Sequence, residues 1–256
     1  MHSMVDIAPS VSAVLGLPPP AQARGTPILE MVADLEGSKR VAILVPDGLG
    51  LHAWRLWAAE MPYLGALHQN RSITLHSVMP SITPVNFATM VTGTDRAGHG
   101  IAAFSDDFAC ETLFDVVRRS DGRSAGVGLE GYTGTRLLGR VADICGNAGD
   151  GSDDDVADSV IEIAEGERPV FVIAQLGRVD DVFHRYGPSA DSVVPMLRET
   201  DARLRRLGGR LKPLGYAILI LADHGHHDVT DASEGGLRGN HGTGSPEDCL
   251  VPCTWA

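Results

Sequence analysis

From residue 40 onward, short unbroken runs of aliphatic residues alternate with stretches of helical periodicity, and this rhythm limits the fold more than any other feature. Strand-like runs occupy 40–45, 72–78, 126–128, 170–175 and 217–222, with a last piece near Leu250. Helical patterns lie between them at about 50–68, 84–92, 112–119, 153–165 and 190–209. A strand that is apolar at every position leaves no face for water, so these runs predict burial on both sides. The intervening helices supply both the covering layers and the crossovers that parallel pairing needs. The expected architecture is therefore an α/β fold: a three-layer α/β/α sandwich with a mostly parallel central sheet. Residues 26–256 read as one domain, since a chain of 256 residues can bury a sizeable single core and no linker composition divides it. Residues 1–25 read as an N-terminal arm on the domain surface, because the apolar stretch 11–17 is stopped by Pro18-Pro19-Pro20.

Charge narrows the range of partners. Asp and Glu number 33 against 21 Lys and Arg, a formal net of -12, and the excess is spread along the chain. That balance argues against duplex nucleic acid or an anionic membrane surface as a partner. The densest basic cluster, Arg203 to Arg206, falls inside a helical pattern. No apolar run approaches the roughly 18 residues of a spanning helix. The first twenty residues carry Asp6 and no basic block, so a cytoplasmic protein without a signal peptide is expected. The four cysteines form no Cys-x-x-Cys pair and read as reduced thiols, with Cys249 and Cys253 too far apart on an extended strand to bridge. The acidic stretch 150–158 resembles a calcium loop superficially, but it lacks the glutamate at the twelfth position. It runs into an apolar-periodic helix, so its carboxylates read as a helix cap. Oligomeric state is not written in the sequence.

Reactive residue types gather where the strand runs end, which is where parallel α/β sheets hold their ligands. Asp47 follows the run 40–45, and Asp223 with His224 follows 217–222. Alone, each aspartate would be an ordinary turn-former; two of them with a histidine suit one metal site. Asp180 and His184 are four apart, a spacing that aims both side chains from one helix face at one ion, although such a pair also serves as a surface hydrogen bond. His241 sits in a glycine-rich loop, Gly239-Asn240-His241-Gly242, which permits close backbone approach. Thr83 precedes Pro84 at the start of an amphipathic stretch, which suits an N-cap followed by a first-turn proline. A hydroxyl there lies in the positive field of the helix, which favours an alkoxide and a bound phosphate. Asn86, in the first turn, could donate its amide to a phosphate oxygen. His226 and His227 extend the Asp-His-Gly motif and read first as solvated loop histidines, with a contact to the ligands or the substrate as the alternative; Asp181 reads as a bystander, and His52, His68 and His76 as outside every motif. Phe87 and Tyr186 read first as packing, with a leaving-group pocket as the alternative.

In order, Asp47, Thr83-Pro-x-Asn86, Thr92-Gly93 leading to His99-Gly100-Ile101, Asp180-x-x-x-His184-x-x-Gly187-Pro188, Asp223-His224-Gly225 and His241-Gly242 resemble the alkaline phosphatase superfamily. The match is greatest to its nucleotide pyrophosphatase/phosphodiesterase branch and to the related phosphonoacetate hydrolases. The resemblance implies two zinc ions, one held by Asp180, His184 and His241, the other by Asp47, Asp223, His224 and the Thr83 oxygen. The same oxygen and nitrogen donors would suit manganese or iron. It also implies Thr83 as nucleophile through a phosphothreonine intermediate, Asn86 as the amide that holds a phosphate oxygen, and His99 as structural support. The expected activity is hydrolysis of small phosphodiesters. The alternatives on the same site are a phosphomonoesterase, a phosphonoacetate-type phosphonate hydrolase, or an inactive metal-binding member. Little or no cap over the site is expected, since only 101–150 is long enough to build a small one.

Overall fold

The computed structural model of the protein describes residues 2–231 and 236–256. Strand β1 (His2–Ser3) lies at one edge of an eight-stranded sheet whose other strands are β2 (Arg40–Pro46), β3 (Ser72–His76), β4 (Ser124–Gly128), β5 (Ile144–Asn147), β6 (Phe171–Leu176), β7 (Tyr216–Leu221) and the C-terminal β10 (Leu250–Trp255). A separate two-stranded ribbon pairs β8 (His227–Asp228) with β9 (Gly239–Asn240). The order across the large sheet is β1-β3-β10-β7-β2-β6-β4-β5. Strand β2 is paired in parallel with β6 on one side and β7 on the other, while β10 alone runs antiparallel, between β3 and β7. Strands β6 and β7 are buried at every residue and β2 at all but its first, as unbroken aliphatic runs require. Helices Asp153–Gly166 and Val194–Leu211 pack together as one covering layer, and helices Ile7–Leu15, Thr83–Thr92 and Leu113–Arg119 form another. This is the expected three-layer α/β/α sandwich.

Several local differences have physical causes. The helical pattern at 50–68 is two helices, Leu51–Trp57 and Pro62–His68, because Pro62 donates no amide and disfavours helical geometry at Met61 (φ -124°, ψ 68°). Segment 1–25 is woven into the fold: His2–Ser3 pairs with β3, and Met4, Ile7, Ala8 and Val11 are fully buried. The helix Ile7–Leu15 ends at Gly16, two residues ahead of the proline triplet. Segment 101–150, where a small cap had room, instead contributes helix Leu113–Arg119, β4 and β5 to the sandwich. The acidic stretch 150–158 caps its helix through Ser152 and Asp155, which bond each other's backbone amides. All four cysteines are free. The loops after β2 and β7 touch so closely that a Cβ on Gly225 would lie 2.1 Å from the Glu247 carbonyl oxygen and 3.1 Å from Gly50 Cα, a contact only glycine permits.

Candidate active site

Adjacent strands β7, β2 and β6 end at the same edge of the sheet, and the predicted site residues gather there. Asp47 leaves the end of β2, and Asp223 and His224 leave the end of β7. Helix Arg178–Tyr186 starts just after β6 and carries Asp180 and His184 on its inner face. Pairing of β8 with β9 brings His241 over the same spot. His224 Nε2 lies 3.4 Å from Asp47 Oδ1 and 3.3 Å from Asp223 Oδ2. Asp180 presents Oδ2 at 3.4 Å to His184 Nε2, and Oδ1 at 3.2 Å to His226 Nε2 and 3.7 Å to His241 Nε2. Thr83 Oγ1 is 3.1 Å from His224 Nε2.

Backbone contacts orient the histidines. His184 Nδ1 lies 3.0 Å from the Gly239 carbonyl, His224 Nδ1 3.1 Å from that of Gly225, and His241 Nδ1 2.9 Å from that of Ser81. A carbonyl only accepts, so each Nδ1 carries the proton and each Nε2 turns a lone pair toward the carboxylates. Lone pairs then face lone pairs: Asp47 Oδ1, Asp180 Oδ1, Asp223 Oδ2 and His226 Nε2 are buried with no hydrogen-bond partner. Buried acceptors converging without donors suit cations. Among the described residues, two groups have ligand atoms within 4.8 Å of one another: Asp180, His184, His226 and His241, and Asp47, Asp180 and His224. Oxygen and nitrogen donors in these numbers fit zinc, and equally manganese or iron. Asp180 thus belongs to both groups, not to one alone. Asp223 stands beside the second, with Oδ1 accepting from the Gly48 amide at 3.0 Å.

Burial, reinforced by the neighbouring Asp223 and Asp180 charges, raises the Asp47 carboxyl well above its ordinary 3.8. Burial likewise pushes Asp223 up to about 6 and holds His224 and His241 down at about 4. Asp180 is the exception: burial opposes its charge, but His226, His224 and His184 together hold it well below the usual carboxylate range. Without cations Asp47 and Asp223 therefore hold their protons to higher pH than free carboxyls do, and those are the protons a metal would displace.

Two expected roles change in the structure. Thr83 does not cap its helix; Ile82 holds the N-cap position and Thr83 is the first helical residue, leaving its hydroxyl free to face His224. Asn86 is fully buried, and its amide is committed to the preceding turn instead of facing a phosphate. Its Oδ1 accepts from Val78 N at 2.7 Å, and its Nδ2 donates to the Val78 and Ile82 carbonyls at 3.1 and 3.3 Å. His226, read first as a solvated loop residue, is buried among the candidate ligands; its position two residues after His224, on the same side of an extended chain, was the available signal. Gln175, at the end of β6, donates Nε2 to Asp47 Oδ2 and accepts from Gly134 N at 2.6 Å. Asp248 accepts from His227 Nδ1 at 2.8 Å and from Thr243 N and Oγ1 at 2.9 and 2.6 Å, joining the loops that carry His226 and His241. Nothing in the pattern around Gln175 or Asp248 marks either one.

The remaining residues lie outside the cluster. Asp181 bonds Tyr132 and Arg178. His68 stacks on Trp54, His52 faces Ser189, and His76 bonds the Ser77 carbonyl. Phe87 is core, and Tyr186 is exposed beside an open pocket that His184, Arg185, Leu237 and Arg238 help to line. His99 is buried against Thr89 and the Ile101 amide, as a structural support.

Structures of similar fold include murine ectonucleotide pyrophosphatase/phosphodiesterase 5, at 14% identity and TM-score 0.69, covering 84% of this chain and 87% of that one. Phosphonoacetate hydrolase from Sinorhizobium meliloti 1021, in complex with phosphonoacetate, matches at 20% identity and TM-score 0.60, over 77% of this chain and 58% of that one. The C-terminal periplasmic domain of EcEptC from Escherichia coli, in a complex with Zn, matches at 12% identity and TM-score 0.59, over 85% and 73%. At such identities the likeness is one of fold. No curated protein sequence matches the chain. Among the described residues no helix is long and apolar enough to cross a membrane. The family model for type I phosphodiesterase/nucleotide pyrophosphatase matches residues 41–125 and 129–240, so the chain belongs to that family, within the alkaline phosphatase superfamily.

Proposed function

We propose that this chain is a metal-dependent phosphoesterase that hydrolyses small phosphodiesters, with Thr83 as the nucleophile at a two-metal centre. The observation that carries this reading is the Thr83 hydroxyl at 3.1 Å from His224 Nε2, at the edge of carboxylate oxygens that have no donors. Bound zinc, or manganese or iron in its place, would lower the hydroxyl pKa and offset negative charge on the phosphoryl oxygens. Asp47, Asp180, His184, Asp223, His224 and His241 hold the metal centre. Thr83 Oγ1, having given up its proton, would attack phosphorus as the P–O bond to the leaving alcohol breaks and that alcohol takes up a proton, and water would then cleave the Thr83–phosphorus ester to release the phosphomonoester and restore the hydroxyl. The helix Thr83–Thr92 directs its positive end, with the first-turn amides of Thr83 and Val85, at the anion. Asn86 acts indirectly, by bracing the turn that positions Thr83.

The diester preference has its own support. A monoester brings one more charged oxygen, and the two guanidinium groups on the helix that carries Asp180 and His184 are engaged elsewhere. Arg178 bonds Asp181, Tyr132 and the Gly151 carbonyl, and Arg185 stacks on Tyr186. An inactive variant of the murine relative holds AMP, and the bacterial one holds phosphonoacetate; small phosphorus-containing anions are thus the class of substrate to test.

The test loads the purified protein with zinc and compares bis(p-nitrophenyl) phosphate, p-nitrophenyl phosphate and phosphonoacetate. About two ions per chain and faster turnover of the diester are expected. Faster cleavage of the monoester or of the phosphonate would replace the diesterase reading, and metal binding without turnover of any of the three would mark an inactive member.

A further inference from the structure

The loop after β7 carries three successive candidate donors, His224, His226 and His227, and they do not face the same way. His227 turns to Asp248. We infer that His226 is a fourth protein ligand of the centre formed by Asp180, His184 and His241, making it a saturated site of three histidines and one carboxylate. The inference rests on the reading of this cluster as a metal centre.

The His226 side chain is fully buried, and its Nε2 has no hydrogen-bond partner. That nitrogen points at Asp180 Oδ1 from 3.2 Å, and the oxygen is equally without a partner. The ring meets those of His184 and His241 at centroid distances of 4.9 and 4.8 Å. On its other side, Nδ1 lies 3.4 Å from the Gly48 carbonyl. A neutral imidazole has one N–H, so whichever nitrogen carries it, the other presents a lone pair to an oxygen acceptor. With Nδ1–H on the carbonyl, as in the other three histidines, Nε2 is left as a donor atom for a cation.

The backbone makes room for this ring. Gly48 has φ +74°, and a Cβ there would lie 2.6 Å from His226 Cε1 and 2.9 Å from Nδ1. Phe183 backs the ring edge-on at 5.4 Å. Four protein donors fill the tetrahedral set that zinc prefers, whereas a catalytic zinc keeps one position for water or substrate. The two halves of the site then differ in kind: the Asp180, His184, His226, His241 half is closed, and the Asp47, His224 half, beside Thr83, is open.

The experiment titrates the metal-free full chain with Co2+ and, separately, with Zn2+, in wild type, His226→Ala, His226→Gln and the control His52→Ala, whose ring faces Ser189 away from the cluster. Visible Co2+ absorption reads coordination number, calorimetry reads affinity, and thermal melting of each metal-free variant reports folding. The expected result is an intense four-coordinate Co2+ band in wild type and in His52→Ala. In both His226 variants the band weakens and one of the two ions binds at least about 10–100-fold less tightly. If the alanine variant does not fold, the glutamine variant, which keeps more of the ring's volume, carries the comparison. Unchanged spectrum and affinity in a folded His226 variant overturn this inference alone. Failure of the wild type to bind either ion overturns the metal-centre reading and this inference with it.

Discussion

The Thr83 hydroxyl oxygen stands 3.1 Å from Nε2 of His224, joining the first turn of helix Thr83–Thr92 to the loop that leaves β7. Thr83 follows β3 and His224 follows β7, strands that lie on opposite sides of β10 and are both paired antiparallel with it. Geometry at the site therefore depends on the sheet as well as on the clustered side chains.

Asn86→Ala is expected to lower stability by roughly 1–3 kcal/mol, because it strands the Val78 amide and releases the Val78 and Ile82 carbonyls in a buried setting. Thermal melting of the metal-free variant measures this. A variant that melts like wild type but loses turnover would instead make the amide a direct phosphate contact.

Asp248→Asn should weaken metal binding without touching a ligand. The carboxylate bonds His227 and Thr243 and so links the loops of His226 and His241. Outer contacts of this kind cost about 10–100-fold in metal affinity when removed. Calorimetric titration with Zn2+ decides, and an affinity equal to wild type would show that the loops hold their places without it.

Gly48→Ala should lower both melting temperature and metal affinity. An L residue at φ +74° is strained by about 1–2 kcal/mol, and its Cβ meets the His226 ring. Circular dichroism melts with and without Zn2+ would show a smaller metal-induced stabilisation than in wild type; an equal one would mean the ring has room to move aside.

Metal should stabilise the protein more as pH rises from about 5 to 8. Asp223 is raised from 3.8 to about 6, and Asp47 is raised as well, so the metal-free fold keeps protons that the unfolded chain has already released. Their contribution to metal-free stability is full below 3.8 and is lost as pH rises through about 6. His224 and His241, lowered from 6.5 to about 4, contribute in the opposite sense, with stability present above 6.5 and lost toward 4. Zinc must displace the carboxyl protons, so binding near pH 6 should release protons into a weakly buffered solution, and binding at pH 8 should release fewer. Equal release at the two pH values would contradict these assignments.

Much of the candidate site was legible in the sequence because the residues that cluster there sit where apolar runs stop: Asp47 after β2, Asp223 and His224 after β7, Asp180 and His184 in the first helix after β6. Periodicity reports such boundaries directly. It does not report what a side chain meets across the fold. Asn86 occupies a first-turn position from which an amide could reach an anion, yet the turn through Val78 folds back and takes up its hydrogen bonds. His226 is buried only because Gly48, on another strand's end, leaves space for it. Strands of two and four residues such as β1 and β5 carry no period of their own, and their place is set by the neighbours they pair with.

In the proposed reaction Thr83 performs the chemistry at a metal centre held by other residues. The most direct test measures bis(p-nitrophenyl) phosphate turnover and bound zinc together in wild type and Thr83→Ala. Thr83→Ala is expected to lose about 10³-fold or more in turnover, with zinc content and melting temperature close to wild type. Turnover by Thr83→Ala at the wild-type rate, with the metal in place, would contradict it.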